Sequence, residues 1–172
     1  MRIILTLLLM AFATPALALT YEPGADAPTR TLEDYIKDYV DVPKGATDWK
    51  VFGATKQINV EWQDKKKFSY QYFKPEFTQA VKDLDGKTVT VKGYMFPLGE
   101  NEKQNLFLFG PFPVSCPFQY HVGSNLVMEV HADAAPIKFS YDAIVITGTL
   151  ELVPKDEDNS TFYRLRNAHI VK

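Results

Sequence analysis

The chain has 172 residues, and its 19 basic and 21 acidic side chains give a formal net charge of −2. This balance excludes the basic footprint by which proteins bind nucleic acids or anionic membrane surfaces. The length fits one domain with a real core, and a single cysteine cannot form an internal disulfide. Twelve Phe, nine Tyr and two Trp favour a β-rich domain, in which aromatic rings pack against pleated strands.

The first eighteen residues have the pattern of a secretory signal peptide. Arg2 precedes an apolar run that ends near Ala13, and Ala16-Leu17-Ala18 forms a small-residue cleavage site. We therefore expect residues 1–18 to be a signal peptide that is cleaved after Ala18, which makes the protein periplasmic or secreted. The apolar run is too short to cross a bilayer as a helix, and no second such run follows, so we expect no membrane span.

Residues 19–48 are predicted to form a flexible N-terminus followed by a short helix. The segment from Leu19 to Arg30 is rich in Pro, Ala and Gly and shows no periodicity. Thr31 then has the character of a helix N-cap, and Asp34 stands three residues later in the capping-box position. The sequence therefore predicts that a helix begins directly after Thr31.

A β-hairpin and a short helix are predicted next. Ile58, Val60 and Trp62 alternate with polar residues, as do the aromatic residues from Phe68 to Tyr72. Period-two aromatics favour ordinary core packing, and a platform for stacking sugars or bases is the alternative. Helical spacing of apolar residues from Pro75 to Leu84 predicts one or two helical turns with the proline in the first turn.

From Lys87 onward the sequence predicts five short strands, two of them with an internal glycine. The strands lie in the segments Lys87–Leu98, Leu106–Phe109, Asn125–His131, Ala143–Val153 and Phe162–Val171. Gly93 and Gly148 lie inside strand patterns, which indicates bulges or strong coiling. The predicted fold class is mainly β, with a five-stranded antiparallel OB-like barrel extended at its N-terminus by the helix and the hairpin. A two-layer open sheet fits the periodicity almost as well. We expect residues 49–172 to form a single OB-like β domain.

The loop from Gly110 to His121 contains three prolines, the only cysteine and one of three histidines. Cys116 and His121 stand five positions apart, a spacing at which a thiolate and an imidazole can share a Zn²⁺ or Cu⁺ ion. His131, at the end of the next predicted strand, is the third candidate ligand. The alternative is that Cys116 packs as a small buried hydrophobe.

Catalysis by Cys116, with His121 or His131 as its base, is a further interpretation. The sequence contains no G-x-S-x-G, H-E-x-x-H or Gly-rich phosphate loop to accompany it. We therefore predict that the protein is not an enzyme and has no catalytic residues. The acidic group made by Glu151 and the segment Asp156–Asp158 is interpreted as a solvated charge run.

Several motifs occur together and in a fixed order. They include Leu84-Asp-Gly-Lys87, Gly93-Tyr-Met-x-Pro-Leu98, Ser115-Cys-Pro-Phe118 and Phe162-Tyr-Arg-Leu165. On these motifs the chain, from Trp49 to its C-terminus, resembles the exported bacterial domain-of-unknown-function family 3299, which is similar to OB-fold proteins. Many members have the motif Cys-Pro-Phe-Cys, whereas this chain has Gln119 in place of the second cysteine. The pair of thiolates that could bind a soft metal or form a redox couple is therefore missing here.

The resemblance implies a secreted or periplasmic protein without an assigned reaction, and some members are encoded beside ABC-type transporters suspected of handling metal ions. We therefore expect a periplasmic, non-enzymatic binding or accessory protein that is associated with zinc or copper transport across the envelope. Its partner would be an ABC-type transporter or another envelope protein. The alternative is a structural or protein-docking module with no small ligand, which uses the barrel face or the aromatic hairpin.

Overall fold

The computed structural model describes residues 30–63, 66–116 and 122–171. The predicted signal peptide, the segment 19–29 and His121 lie outside these residues. Within the described part of the chain, no helix combines the length and the apolar composition needed to cross a membrane.

Two short helices begin at side-chain caps and pack their apolar faces inward. Helix α1 is Leu32–Tyr39, and the predicted capping box is confirmed, because the Thr31 and Asp34 side chains each accept the other residue's backbone N–H. Helix α2 is Trp49–Gly53, and Asp48 caps it. The Trp49 indole donates a hydrogen bond of 2.7 Å to the carbonyl of Lys92, which fixes α2 against the barrel.

The predicted hairpin is confirmed as a separate two-stranded sheet. Strand β1 is Lys56–Gln63 and strand β2 is Ser69–Glu76, and they pair in an uninterrupted antiparallel register. The predicted helix from Pro75 to Leu84 is wrong at its start, since Pro75 lies in β2 opposite Gln57. Helix α3 is confined to Gln79–Lys82, because the Thr78 side chain caps it at that point.

The five predicted strands form a closed barrel. In chain order they are β3 Thr88–Pro97, β5 Leu106–Gly110, β6 Met128–His131, β8 Ile144–Leu152 and β9 Tyr163–Ile170. Around the barrel they follow the order β3-β5-β6-β9-β8, and β8 closes on β3. A separate two-stranded sheet joins β4, Lys103–Gln104, to β7, Ile137–Lys138. The mainly β class and the five-stranded barrel are therefore confirmed, and the open two-layer alternative is wrong.

The barrel differs from the prediction in one pair of strands, because β6 and β9 run parallel. Five is an odd number, so strand direction cannot alternate all the way round a closed ring, and at least one neighbouring pair must run parallel. The wholly antiparallel prediction is therefore wrong for this pair. The other four pairs of the barrel are antiparallel.

Gly93 and Gly148, where bulges or strong coiling were predicted, lie at positions where strand pairing changes. Strand β3 pairs with β8 up to Gly93 and with β5 from Tyr94 onward. A β-carbon at Gly93 would lie 2.6 Å from the carbonyl oxygen of Gly110, so no larger side chain fits there without a shift. Gly148 lies at the register shift between β8 and β9, where a β-carbon would lie 2.7 Å from the carbonyl oxygen of Arg166.

Candidate functional site

The proline-rich loop places Cys116 in the interior. The Cys116 side chain is 3 % exposed and belongs to the main hydrophobic cluster. A hydrogen bond with this thiol raises the pKa of the Tyr39 phenol above its usual value, and the Tyr39 ring packs edge-on against Phe112 at 5.5 Å between ring centres. These contacts support the interpretation of Cys116 as a small buried hydrophobe with one weak polar contact.

The three predicted metal ligands are not brought together among the described residues. His121 lies outside those residues. His131 pairs with Leu106 at the start of β5, whereas the loop that carries Cys116 leaves β5 at its other end, after Gly110. Four residue steps along a strand correspond to about 13 Å. The structure therefore places Cys116 and His131 at opposite ends of β5.

His131 belongs instead to a network of polar and charged side chains on the outside of the barrel. Its Nε2 lies 2.6 Å from Oε1 of Glu129, and the same oxygen accepts a hydrogen bond of 2.8 Å from Nε of Arg164. Nε of Arg166 donates to Glu151 at 2.5 Å, and this contact lowers the pKa of Glu151. Within residues 30–63, 66–116 and 122–171, no three His, Cys, Asp or Glu side chains form a group that could hold a metal ion. Because His121 is not among them, the metal site stays a prediction.

A groove runs along the outer face of β5 and β6. In β5 the side chains of Phe107 and Phe109 point into the barrel and are 0 % exposed, whereas Leu106 on the other face is 37 % exposed. The outer face of β5 is therefore only partly covered. Alternation of side chains along β5 leaves a line of leucines on the surface, and that line forms part of the groove floor.

The apolar end of the groove is a cavity of about 180 Å³. It is lined by Phe96, Leu108, Gly110, Pro111, Phe112, Val122, Leu126 and Val127. None of these residues carries a charged or hydroxyl side chain. This end is therefore suited to an apolar group of modest size.

The other end of the groove is larger and partly polar, with a volume of about 480 Å³. It is lined by Leu98, Leu106, Leu108, Val122, Ser124, Val127, Glu129, Asn159, Ser160 and Thr161. Leu108, Val122 and Val127 line both ends, so the two cavities adjoin along these three residues. Of the described residues that line the groove, Glu129 alone is ionisable, and Arg164 and His131 already contact its carboxylate.

Asp156 shapes the polar wall of the groove. Its carboxylate accepts three backbone N–H bonds, from Asp158 at 3.2 Å, Asn159 at 3.0 Å and Thr161 at 3.4 Å. Burial on its own would raise the pKa of Asp156, but the bonds to the ionised form outweigh it and hold the pKa below its usual value. The interpretation of Asp156 as part of a solvated charge run is wrong, since only 9 % of its side chain is exposed.

The hairpin is attached to the walls of the groove. The side-chain oxygen of Gln57 accepts a hydrogen bond of 2.9 Å from the N–H of Ser124, in the 3-10 turn Ser124–Leu126. On the other strand, the N–H of Phe73 donates to Oγ of Ser160 at 2.9 Å. Ser124 and Ser160, which both line the groove, therefore hold the hairpin against the barrel.

Comparison with family models matches residues 37–172 to the family described as protein of unknown function (DUF3299). The chain belongs to this family. The DUF3299 match contains the hairpin, all five barrel strands and every residue that lines the groove. Comparisons with curated proteins and with solved structures found no match.

Sequence reasoning did not find the groove of this DUF3299 protein, although one signal was present. Leu106-Phe-Leu-Phe109 is apolar at every position, which is typical of a strand covered on both faces. In such a strand Leu106 and Leu108 form an apolar surface on the face opposite Phe107 and Phe109. A strand with two apolar faces in a small barrel is the signal that could have located the groove.

Proposed function

We propose that this DUF3299 protein is an exported, non-enzymatic binding module whose groove holds an extended segment of a partner protein. The observation that carries the proposal is the groove that two adjoining cavities form on β5 and β6, apolar at one end and lined in part by hydroxyl and amide groups at the other. In the OB-fold this face and its flanking loops commonly bind ligands. The family resemblance supports two further parts of the proposal. The protein is located in the cell envelope, and its partner is an ABC-type transporter or another envelope protein.

A peptide segment suits both ends of the groove. The cavity of about 180 Å³ can accept one large apolar side chain as an anchor. Ser124, Asn159 and Ser160 at the polar end can satisfy the backbone groups of the chain that follows the anchor. An extended segment presents both kinds of group at the same time.

The electrostatics of the groove favour a peptide over a nucleic acid. Grooves that bind single-stranded nucleic acid use Lys and Arg to follow the phosphates. Of the described residues that line this groove, none is Lys or Arg. The guanidinium of Arg164 lies 2.8 Å from the carboxylate of Glu129 and offsets its charge, so the ligand needs no positive charge of its own at this position.

The proposal can be tested with a displayed library of random peptides selected on the full chain. We expect the selected sequences to share a large apolar residue and to protect β5, β6 and residues 159–161 from amide exchange. Leu106→Glu places a charge on the groove floor and should weaken binding at least tenfold in fluorescence polarisation. Ile170→Glu is the matched control, because Ile170 is an aliphatic strand residue of similar exposure, 44 % against 37 %, outside the residues that line the groove.

Two outcomes would contradict the proposal. Failure to enrich any peptide family would remove the groove as a peptide site. Equal binding of the selected peptides to Leu106→Glu and to the wild type would place the site elsewhere.

A further inference from the structure

The hairpin has a long free edge along β1. Strands β1 and β2 form eight cross-strand pairs without a bulge. On one face Ile58, Trp62 and Tyr70 are 43 %, 40 % and 46 % exposed, and the last two rings stack at 4.9 Å. A two-stranded ribbon with such exposure gains little stability by itself in water.

The hydrogen bond of Phe73 reveals which backbone groups point outward. In an antiparallel pair, two opposite residues either exchange both of their bonds or direct both away from each other. The N–H of Phe73 donates to Ser160 rather than across the ribbon to Asn59, its partner in the register. Asn59 and, by alternation, Glu61 therefore direct their N–H and C=O groups toward the outer edge of β1.

The two edges of the hairpin are not equivalent. The β2 edge is covered at Phe73 by Ser160 and carries Pro75, a residue that discourages pairing. The β1 edge contains no proline and no bulge, and in the described residues no hydrogen-bond partner contacts the outward groups of Asn59 or Glu61. A row of unpaired N–H and C=O groups is complementary to another strand, so the natural occupant of this edge is a β-strand.

The β1 edge is complementary to itself when a twofold axis passes through Val60. With a twofold axis at Val60, Ile58 lies opposite Trp62 of the second copy and Glu61 lies opposite Asn59. An axis at Glu61 would place two carboxylates opposite each other, which is unfavourable. The Val60 register therefore joins apolar side chains on one face and separates the like charges on the other.

We propose that β1 pairs antiparallel with β1 of a second copy of this chain about a twofold axis at Val60, which forms a four-stranded sheet from two hairpins. The interface is isologous, because the same edge serves both copies. It is independent of the groove, whose floor lies on the barrel. The stripe of Ile58, Val60 and Trp62 becomes continuous across the two copies.

The first test compares two proline variants by sedimentation equilibrium over a range of protein concentrations. Glu61 and Gln71 face each other, so Glu61→Pro and Gln71→Pro each remove the same side-chain hydrogen bond of 2.6 Å. Each also removes one outward N–H, but from opposite edges of the hairpin. We expect the wild type and Gln71→Pro to reach the dimer mass and Glu61→Pro to remain at half that mass. A monomeric wild type, or equal loss of the dimer in both variants, would overturn the proposal.

The second test fixes the register by cross-linking. A residue on the twofold axis lies opposite the same residue of the second copy. Cα atoms in a non-hydrogen-bonded pair lie about 4.5 Å apart, which is within reach of a disulfide. Val60→Cys should therefore form a disulfide-linked dimer under mild oxidation, while the buried Cys116 does not take part. Asn59→Cys should stay unlinked, because it faces Glu61 of the second copy. Linkage of Asn59→Cys without linkage of Val60→Cys would overturn the Val60 register.

Discussion

The backbone N–H of Phe73 donates a hydrogen bond of 2.9 Å to Oγ of Ser160, 87 residues later in the chain. This bond joins the hairpin to the wall of the groove. Ser160→Ala removes the acceptor, so amides of β2 should exchange faster with solvent while barrel amides keep their protection. Amide exchange followed by mass spectrometry measures both in one sample, and unchanged protection of β2 would show that other contacts hold the hairpin.

Tyr163 connects the last strand of the barrel to α2. Its buried hydroxyl donates to the carbonyl of Phe52 at 2.9 Å and lies 2.6 Å from Oγ1 of Thr55. Because Thr55 is also buried, Tyr163→Phe should lower the free energy of unfolding by about 1–3 kcal/mol. Chemical denaturation measures the change. Tyr70→Phe, at a half-exposed ring, is the control and should stay within about 0.5 kcal/mol of the wild type.

Gly93 is the corner at which β3 changes partners. A β-carbon there would meet the Gly110 carbonyl oxygen at 2.6 Å and the Phe109 ring at 3.0 Å, so Gly93→Ala should destabilise the fold by about 1–3 kcal/mol. Gly99→Ala is the matched control, since its nearest neighbour would lie at an ordinary contact distance of 3.6 Å. Equal melting temperatures for the two variants would mean that the barrel accommodates the corner without strain.

The pKa of Asp156 makes stability depend on pH. Its folded pKa lies below the unfolded value, so its contribution is fully present above about pH 4 and is lost as the pH falls through the folded pKa. Asp156→Asn should therefore lower the melting temperature at neutral pH and flatten its decline in acid. Melting curves at a series of pH values test this, and parallel declines for variant and wild type would contradict it.

Metal binding by Cys116 and His121 can be distinguished from metal binding that involves His131. A Zn²⁺ or Cu⁺ ion bound to the native state must raise the melting temperature. Because His131 and Cys116 lie at opposite ends of β5, His131→Ala should leave such a shift unchanged, whereas Cys116→Ser and His121→Ala should abolish it. No shift in the wild type would remove the hypothesis. Loss of the shift in His131→Ala would contradict this placement.

The elements that the sequence predicted correctly are those whose signals are local. The capping box at Thr31, the alternation in β1 and β2 and the five β-rich segments depend on residues close together in the chain. The glycine corner at Gly93 was also visible, because a glycine inside a strand pattern is typical of a bulge or a tight bend. The parallel β6–β9 pair follows from the odd number of strands, once the barrel is known to be closed.

Only the tertiary structure decided which apolar surfaces remain exposed and which charged side chains are buried or hydrogen-bonded. Burial of Asp156, separation of His131 from Cys116 and exposure of Leu106 all depend on segments far apart in sequence that meet across the barrel. By itself, the sequence determined that the chain is mainly β and that glycines interrupt two of its strands. Closure of the barrel determined the groove, because only closure decides which of two apolar strand faces is covered and which is left exposed.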